Sequence, residues 1–374
     1  MKIIDIGRSA KYKISNINKK KKGTIMNKLS KIIVSLMTSF ALSFSAFAGE
    51  LTVTGTAKAT YSTLSGMVNG DNTLGVANEL KFGASGELDN GFTWDYFIEL
   101  DPDATAAGGN ALNDDSSFAV TTPYGVAKIC SSECGLSAAG NFSANAYAWI
   151  TDTGYAEGKV EPVNVSSYSN MQYHTPAGIL PFSTVIKAAY APSGSTVLKS
   201  ANSSNTTKIT TLGGTTQYRL ETAPVDGLAV TASYTEQDSG DGITTDEQQS
   251  ESGTIAGKYS FGSFTVGLGR SWIAPRIADV TGSGTTTIEQ YENVDMSLAF
   301  AVNDQLSVSY SQEKSDKQFT TSSTVAYDQK TKSLQAAYTM GGMTLALART
   351  DYDNVGYVQN DDATENLFAV TMAF

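Results

Sequence analysis

The dominant pattern along the chain is an alternation of apolar and polar residues that begins at Leu51 and continues to Phe374. A period of two places successive side chains on opposite faces of an extended strand, so this pattern predicts β-strands. From Leu228 to Thr235, one face carries Leu, Val, Ala and Tyr, and the other carries Ala, Thr, Ser and Thr. Helical periodicity is scarce. The pattern therefore predicts an all-β fold.

Short turns and long polar connections alternate between the predicted strands. Seven turns and eight loops join sixteen strands, each about 8 to 12 residues long, as a tilted strand needs to cross a bilayer. An even strand number with short turns on one side and long loops on the other is typical of a transmembrane antiparallel β-barrel. Eighteen strands remain an alternative, because the patterns near 114–122 and 125–130 are the weakest. The predicted turns are Asp89-Asn90, Pro123-Tyr124, Pro176 to Leu180, Pro224 to Gly227, Gly262-Ser263, Asn303-Asp304 and Gly341-Gly342. The predicted loops are 64–75, 102–113, 131–165, 193–208, 238–250, 275–287, 316–328 and 353–364.

The polarity of the two strand faces favours a water-filled barrel over a soluble sandwich. A sandwich would pack bulky apolar side chains into a core, whereas here the second face is small and polar in strand after strand. Aromatic residues cluster near strand ends, which predicts two belts at the membrane interfaces. The predicted loop-side belt is Tyr61, Tyr190, Tyr234, Tyr310, Tyr338 and Tyr352, and the predicted turn-side belt is Phe82, Phe92, Trp94, Phe182, Phe261 and Phe264.

An apolar segment over 32–48 stands apart from the rest of the chain. It follows two lysines and ends in Ala46-Phe47-Ala48, the small-x-small pattern that signal peptidase cleaves. We predict a signal peptide at 26–48 and a single barrel domain at 49–374. A basic run lies far ahead of the apolar segment, so residues 1–25 are predicted to be a mis-annotated N-terminal extension.

Charge and cysteine content narrow the classes of partner. Residues 1–48 hold ten Lys or Arg and one acid, so the net charge of −11 becomes −20 for the remainder. Such acidity argues against a nucleic-acid partner. Cys130 and Cys134 are the two cysteines; in an exported chain they form either a local disulfide or a free pair. With one histidine, the chain lacks a usual zinc ligand set.

The chain resembles the trimeric general-diffusion porins of Gram-negative outer membranes in three places. Glu50 to Gly55 looks like their first strand, and Phe374 with Val370 and Met372 looks like the C-terminal signal read by the barrel-assembly machinery. Asn170 to Pro176 looks like their sixth strand and turn, with the Asn-Ser pair inverted. The resemblance implies an outer-membrane homotrimer and a third loop, here 131–165, folded into the lumen. The Pro-Glu-Phe-Gly-Gly signature of that loop is absent.

Inward charges at the narrowest level would set the selectivity of such a pore. Strand parity and the resemblance together predict a constriction between a basic wall and acids of the third loop. The predicted constriction residues are Lys58, Lys81 and Lys128, opposite Asp152, Glu157 and Glu161 with Lys159 between them. Other charges predicted to face the lumen are Glu79, Asp95, Glu99, Lys187, Arg219, Lys258 and Asp295. Parity places Arg270 and Arg349 outward, toward lipopolysaccharide phosphates, a bulge or a subunit contact.

No catalytic constellation is evident. Nucleophilic hydrolysis needs a base beside the nucleophile, and His174 lies at a predicted turn, which favours a structural or lumen-lining role. The sequence therefore predicts a passive channel for small hydrophilic solutes and ions, with no catalytic residue and no cofactor. The alternatives are a solute-specific channel and a non-channel adhesive β protein. Three acidic pairs are predicted to be solvated loop acids, with weak Ca²⁺ binding as the alternative; they are Asp101-Asp103, Asp351-Asp353 and Asp361-Asp362.

Overall fold

The computed structural model is a closed antiparallel barrel of sixteen strands, in which each strand pairs with its sequence neighbours and β1 pairs with β16. The structure describes residues 50–66, 72–100, 115–131, 134–136, 138, 143–150, 159–165, 169–192, 212–239, 248–277, 287–320 and 326–374. The predicted signal peptide and N-terminal extension lie outside these residues. The strands are β1 Glu50–Ser65, β2 Thr73–Glu87, β3 Thr93–Leu100, β4 Asp115–Thr122, β5 Gly125–Ser131, β6 Asn170–His174, β7 Val185–Ala191, β8 Leu212–Val225, β9 Leu228–Ser239, β10 Ser250–Phe261, β11 Phe264–Ala274, β12 Ile288–Ala301, β13 Leu306–Phe319, β14 Gln329–Met340, β15 Met343–Asp353 and β16 Ala363–Ala373.

The predicted strand number and alternation of turns and loops are confirmed. The two weakly patterned segments form β4 and β5, so the alternative of eighteen strands is wrong. The third turn is longer than predicted, because a 3-10 turn at Pro181–Ser183 precedes β7. No helix within the described residues is long and apolar enough to cross a membrane.

The two faces of the barrel wall invert the burial pattern of a soluble protein. Large apolar side chains are exposed on the outside, for example Leu74 at 83% and Leu51 at 69%. Small polar side chains on the inside are buried, for example Ser309 and Ser311 on β13, whereas Tyr310 between them is exposed. An outward apolar band around a polar interior is what a lipid-embedded barrel requires.

The barrel closes at a seam where the C-terminal residue meets β1. The backbone N–H of Gly55 donates to the carbonyl of Phe374 (2.9 Å), and the N–H of Phe374 donates to the carbonyl of Gly55 (3.0 Å). A Cβ added at Gly55 would lie 2.8 Å from the Phe374 ring. Because glycine has no Cβ, this outward position leaves room for the Phe374 ring.

Aromatic belts are present, with three exceptions to the predicted membership. On the turn side, Phe261, Phe264 and Phe300 stack in sequence, with ring centroids 5.8 Å and 4.7 Å apart. Tyr338 lies beside the turn that joins β14 to β15, and Tyr310 lies nearer the turn than the loop end of β13, so their predicted loop-side positions are wrong. Tyr352 is fully buried rather than exposed to lipid, since it packs with Val355, Ala363 and Leu64 beneath the eighth loop.

Candidate pore site and the third loop

The described residues of the third loop (L3, residues 132–169 between β5 and β6) lie against the inner wall of the barrel. Its backbone N–H groups donate to small polar side chains of successive strands: Ala138 to Ser233 on β9 (3.2 Å), Ala144 to Ser297 on β12 (2.8 Å) and Ala146 to Ser309 on β13 (2.8 Å). The amides of Tyr147 and Ala148 donate to the Gln335 side chain on β14 (3.1 and 3.2 Å). The polar inward face therefore supplies the partners that a loop backbone needs when it leaves water.

The returning arm of L3 follows the same half of the wall. Asn293 on β12 donates to the carbonyl of Val160 (3.0 Å), and Ser252 on β10 donates to that of Val163 (3.4 Å). The N–H of Val165 donates to the Gln217 side chain on β8 (3.2 Å). These hydrogen bonds of the two described arms thus lie on strands between β8 and β14.

The start of L3 is covalently fixed to the wall. Cys130, the last inward residue of β5, forms a disulfide with Cys134, and both side chains are buried. The carbonyl of Cys134 accepts a hydrogen bond from Gln172 on β6. Leu136 packs with Val165 and Ala189, which brings the two arms of the loop together at its base.

A buried ion cluster fastens the middle of L3. The Lys159 ammonium is 1% exposed and lies 2.6 Å from Asp295 Oδ1 on β12 and 3.5 Å from Glu313 Oε1 on β13. Trp149 donates its indole N–H to Glu313, and its ring lies 4.9 Å from the Lys159 nitrogen. Burial lowers the pKa of Lys159, but the nearby Glu313, Asp295 and Glu161 outweigh it, so the pKa is raised and the ammonium stays charged. Lys159 therefore anchors the loop, and Asp295 faces inward beneath it rather than toward the open pore.

A second anchor is apolar. Ala146 and Tyr147 of L3 pack on a flat patch of small inward residues formed by Ala337, Ala346 and Ala369. Burial raises the pKa of the Tyr147 phenol, so it stays neutral at physiological pH. The first arm of L3, which contains Ala144 to Trp149, is thus held by backbone hydrogen bonds, by this packing and by the contact of Trp149 with the Lys159 cluster.

The strands β1 to β5 bring several of the predicted lumen charges together. The Lys81 ammonium on β2 pairs with Glu99 on β3 (2.9 Å), and Lys128 on β5 lies within electrostatic range of Lys81 and Asp95. Lys58 also faces inward, but it lies on β1 beside Ala77 and Thr371 of the neighbouring strands. Glu79 accepts a hydrogen bond from Thr56 (3.4 Å).

A further group of charges lies on β6, β7 and β8. Glu221 bridges Lys187 (2.9 Å) and Arg219 (2.8 Å), and both cations lie within electrostatic range of His174. The His174 Nε2 shares a hydrogen bond with the Gln172 side chain (2.9 Å). His174 thus lines the lumen. Lys258 faces inward on β10, opposite Ala229 and Gly267.

The predicted acids of L3 are placed only in part. Glu161 is exposed and lies 3.9 Å from Lys159, so it borders the anchor as well as the lumen. Asp152 and Glu157 lie outside the described residues. Sequence reasoning missed Phe97, an aromatic residue on the inward face between Asp95 and Glu99; its bulk on an otherwise polar face was the available signal.

The predicted outward arginines carry acidic partners. Arg270 pairs with Glu292 (2.8 Å) and Arg349 with Asp351 (3.2 Å), and all four side chains face outward near the loop ends of their strands. Among the acids considered for Ca²⁺, Asp353 pairs with Lys332 (2.9 Å), and Asp101 and Asp103 lie outside the described residues. No group of three or more possible metal ligands occurs within the described ranges.

Comparison with solved structures finds the same barrel at low sequence identity. The anion-selective porin from Comamonas acidovorans is 12% identical, with a TM-score of 0.62 over 87% of this chain and 100% of that chain. The trimer form of OmpT, an outer-membrane protein of Vibrio cholerae, is 13% identical, with a TM-score of 0.63 over 88% and 100%. The outer-membrane channel DcaP of Acinetobacter baumannii is 9% identical, with a TM-score of 0.63 over 87% and 98%.

No curated protein matches the sequence. The Gram-negative porin family, in contrast, matches residues 34–374, which is most of the chain. Family and neighbours indicate a channel rather than an enzyme. The closed sixteen-strand barrel, its polar interior and this match together show that the chain belongs to the Gram-negative porin family and forms a diffusion channel of the outer membrane.

Proposed function

We propose that this porin is a general-diffusion channel, through which ions and small hydrophilic solutes pass passively between L3 and the wall of β1 to β5. The observation that carries the proposal is the anchoring of the described residues of L3 to the inner wall, from the base on β5 and β6 along β8 to β16. Sixteen strands enclose an aqueous channel, and a loop fixed to one side narrows such a channel without closing it.

The interior favours general diffusion over recognition of a single solute. Inward positions on β8 to β15 are dominated by Ser, Thr, Gln and Ala, many of which bond L3 rather than line the path. The decisive experiment measures single-channel conductance in planar bilayers, with liposome swelling in neutral sugars of increasing size. Conductance proportional to salt and uptake that falls smoothly with sugar size support the proposal. Uptake that saturates for one sugar would indicate a solute-specific channel.

Charge on the wall of β1 to β5 would give the pore a transverse field. Lys58, Lys81 and Lys128 lie there, and Asp152, Glu157 and Glu161 of L3 supply the proposed acidic side. The wall lysines are partly offset, because Lys81 pairs with Glu99. We therefore expect weak ion selectivity.

We further propose a homotrimer, supported by the trimer form of the Vibrio cholerae neighbour. Small outward residues on β1 and β2 would let adjacent barrels approach closely. Two of the glycines there are already covered within this chain, Gly55 by Phe374 and Gly86 by Trp94. The remaining flat positions are Ala57, Ala59 and Ala84. A folded band of three times the monomer mass in mild detergent supports the trimer, and a monomer band in every detergent contradicts it.

Two membrane partners follow from the outer surface. Arg270 and Arg349, exposed near the loop ends, would contact lipopolysaccharide phosphates through the part of each guanidinium not used by Glu292 or Asp351. The exposed Phe374 ring at the seam is available to the barrel-assembly machinery before closure. Loss of outer-membrane insertion in a Phe374→Ala variant would support the second assignment, and unchanged insertion would oppose it.

The proposed precursor has a signal peptide at 26–48 and an artefactual extension at 1–25. N-terminal sequencing distinguishes the possibilities. A mature protein that begins at residue 49 and a precursor that begins at Met26 support the assignment, whereas a precursor containing residue 1 contradicts it.

A further inference from the structure

Phe97 places an aromatic ring on the otherwise polar inner wall. The outward residues of β3 include Tyr96, which is 41% exposed, and the alternation directs Phe97 to the lumen together with Asp95 and Glu99. Its register neighbours are Gly83 on β2 and Ser117 on β4, both small. A large apolar ring on this face is only partly buried, so it presents apolar surface to the water of the channel.

Two ammonium groups flank this ring. The nitrogen of Lys81 lies 4.0 Å from the Phe97 centroid, and that of Lys128 lies 5.7 Å from it. Both distances are within the range of a cation–π contact. Lys81 comes from the adjacent strand and Lys128 from β5, across the small inward side chains of β4. Both cations therefore lie near this ring on the inner wall formed by β2, β3 and β5.

The two lysines differ in how far their charge is compensated. Glu99 pairs with Lys81 at 2.9 Å, whereas Lys128 experiences Asp95, Lys81 and Lys187 at longer range. An anionic group that enters the lumen would thus be attracted most strongly to the Lys128 ammonium, and Phe97 lies beside it.

We propose that Lys81, Phe97 and Lys128 form a weak subsite for solutes that combine a carboxylate with a flat aromatic body. The carboxylate would bind the ammonium of Lys128, and the aromatic ring of the solute would pack against Phe97. This inference rests on the proposed diffusion channel and adds a preferred solute class to it.

The test measures ion current through wild-type channels in planar bilayers during addition of sodium benzoate, sodium acetate or benzylammonium chloride. Aromatic packing on one ring corresponds to about a fivefold gain in affinity. We expect benzoate to reduce the current saturably, at a half-blocking concentration about fivefold or more below that of acetate, and benzylammonium to have no saturable effect. Equal potency of benzoate and acetate, or of benzoate and benzylammonium, would overturn the subsite.

Variants separate the ring from the charge. Phe97→Leu keeps an apolar side chain but removes the ring, so it should remove the preference for benzoate over acetate. Lys128→Gln keeps a polar side chain but removes the charge, so it should remove the preference for benzoate over benzylammonium. Phe368→Leu on β16 and Lys330→Gln on β14 are matched controls on the outer face and should retain both preferences. Retention of the corresponding preference in either lumen variant rejects the proposal. Absence of any ion conductance in the wild type would instead reject the diffusion channel itself.

Discussion

Replacement of Lys159 by methionine should release L3 from the wall while the barrel stays closed. The side chain keeps its length but loses the charge that faces Asp295 and Glu313, whose side chains are 7% and 4% exposed. Removing one partner of a buried ion pair costs about 3–5 kcal/mol, because the remaining charge is left uncompensated. The loop should therefore detach about a hundredfold or more readily. The strand ladders, which do not involve Lys159, should be unaffected.

Hydrogen exchange and single-channel recording together provide the assay. The amides of Ala144 and Ala146 bond wall serines in the anchored loop, so their exchange should accelerate in Lys159→Met while strand amides stay protected. Current noise should rise as the loop moves in the lumen. Glu161→Gln is a control at the exposed edge of the cluster and should have a small effect of about 0.2–1 kcal/mol. Unchanged exchange and noise in Lys159→Met would refute the anchoring role.

The triple variant Lys159→Met, Asp295→Asn, Glu313→Gln distinguishes charge from packing. Neutral replacement of all three groups removes the uncompensated carboxylates, so most of the lost anchoring should return. If the triple variant is as noisy as Lys159→Met, the cluster acts through side-chain shape instead of charge.

Four further outcomes are expected. The pKa of the Lys159 ammonium is raised above its ordinary value of 10.5. Its stabilisation of the anchored loop is therefore complete below pH 10.5 and is lost as the pH rises through the raised pKa. Channel noise that increases in the neutral range would contradict this. Lys58→Ala and Lys81→Ala should each shift the reversal potential toward cations in a salt gradient, with Lys330→Ala on the outer face as an unshifted control. Gly55→Val should displace the Phe374 ring and reduce the heat-modifiable folded band, whereas Gly257→Ala on β10, where an added Cβ makes only ordinary contacts at 3.5 Å or more, should change it less. Joint replacement of Cys130 and Cys134 by serine should weaken the base of L3 by about 2 kcal/mol, measured as faster exchange of the Leu136 amide, and equal exchange with and without the disulfide would oppose this.

Strand number and lumen parity were predictable because each depends on local pattern. A period of two identifies the face of every strand, and turn residues such as Gly262 and Gly341 interrupt it clearly. Parity alone, without any knowledge of their neighbours, assigned Lys81 and Asp95 to the face on which Lys81 pairs with Glu99.

The partners of the inward charges were not predictable, since they depend on which strands the loop crosses. Lys159 looked like a pore charge among acids, but its partners Asp295 and Glu313 lie more than a hundred positions away in sequence. Likewise, alternation could not show that Phe97 lies between lysines of β2 and β5. Such contacts arise from barrel closure, and periodicity does not encode them.

The division of the inner wall also bears on how this protein can change. Serines and glutamines of β8 to β14 act as hydrogen-bond partners for the L3 backbone, whereas the proposed solute path follows the charges on β1 to β5. On that proposal, substitutions in the second group alter what the channel admits without loosening the anchored loop. Permeability and the anchoring of the loop would then depend on separate sets of residues, so that uptake could change by point mutation at little cost to folding.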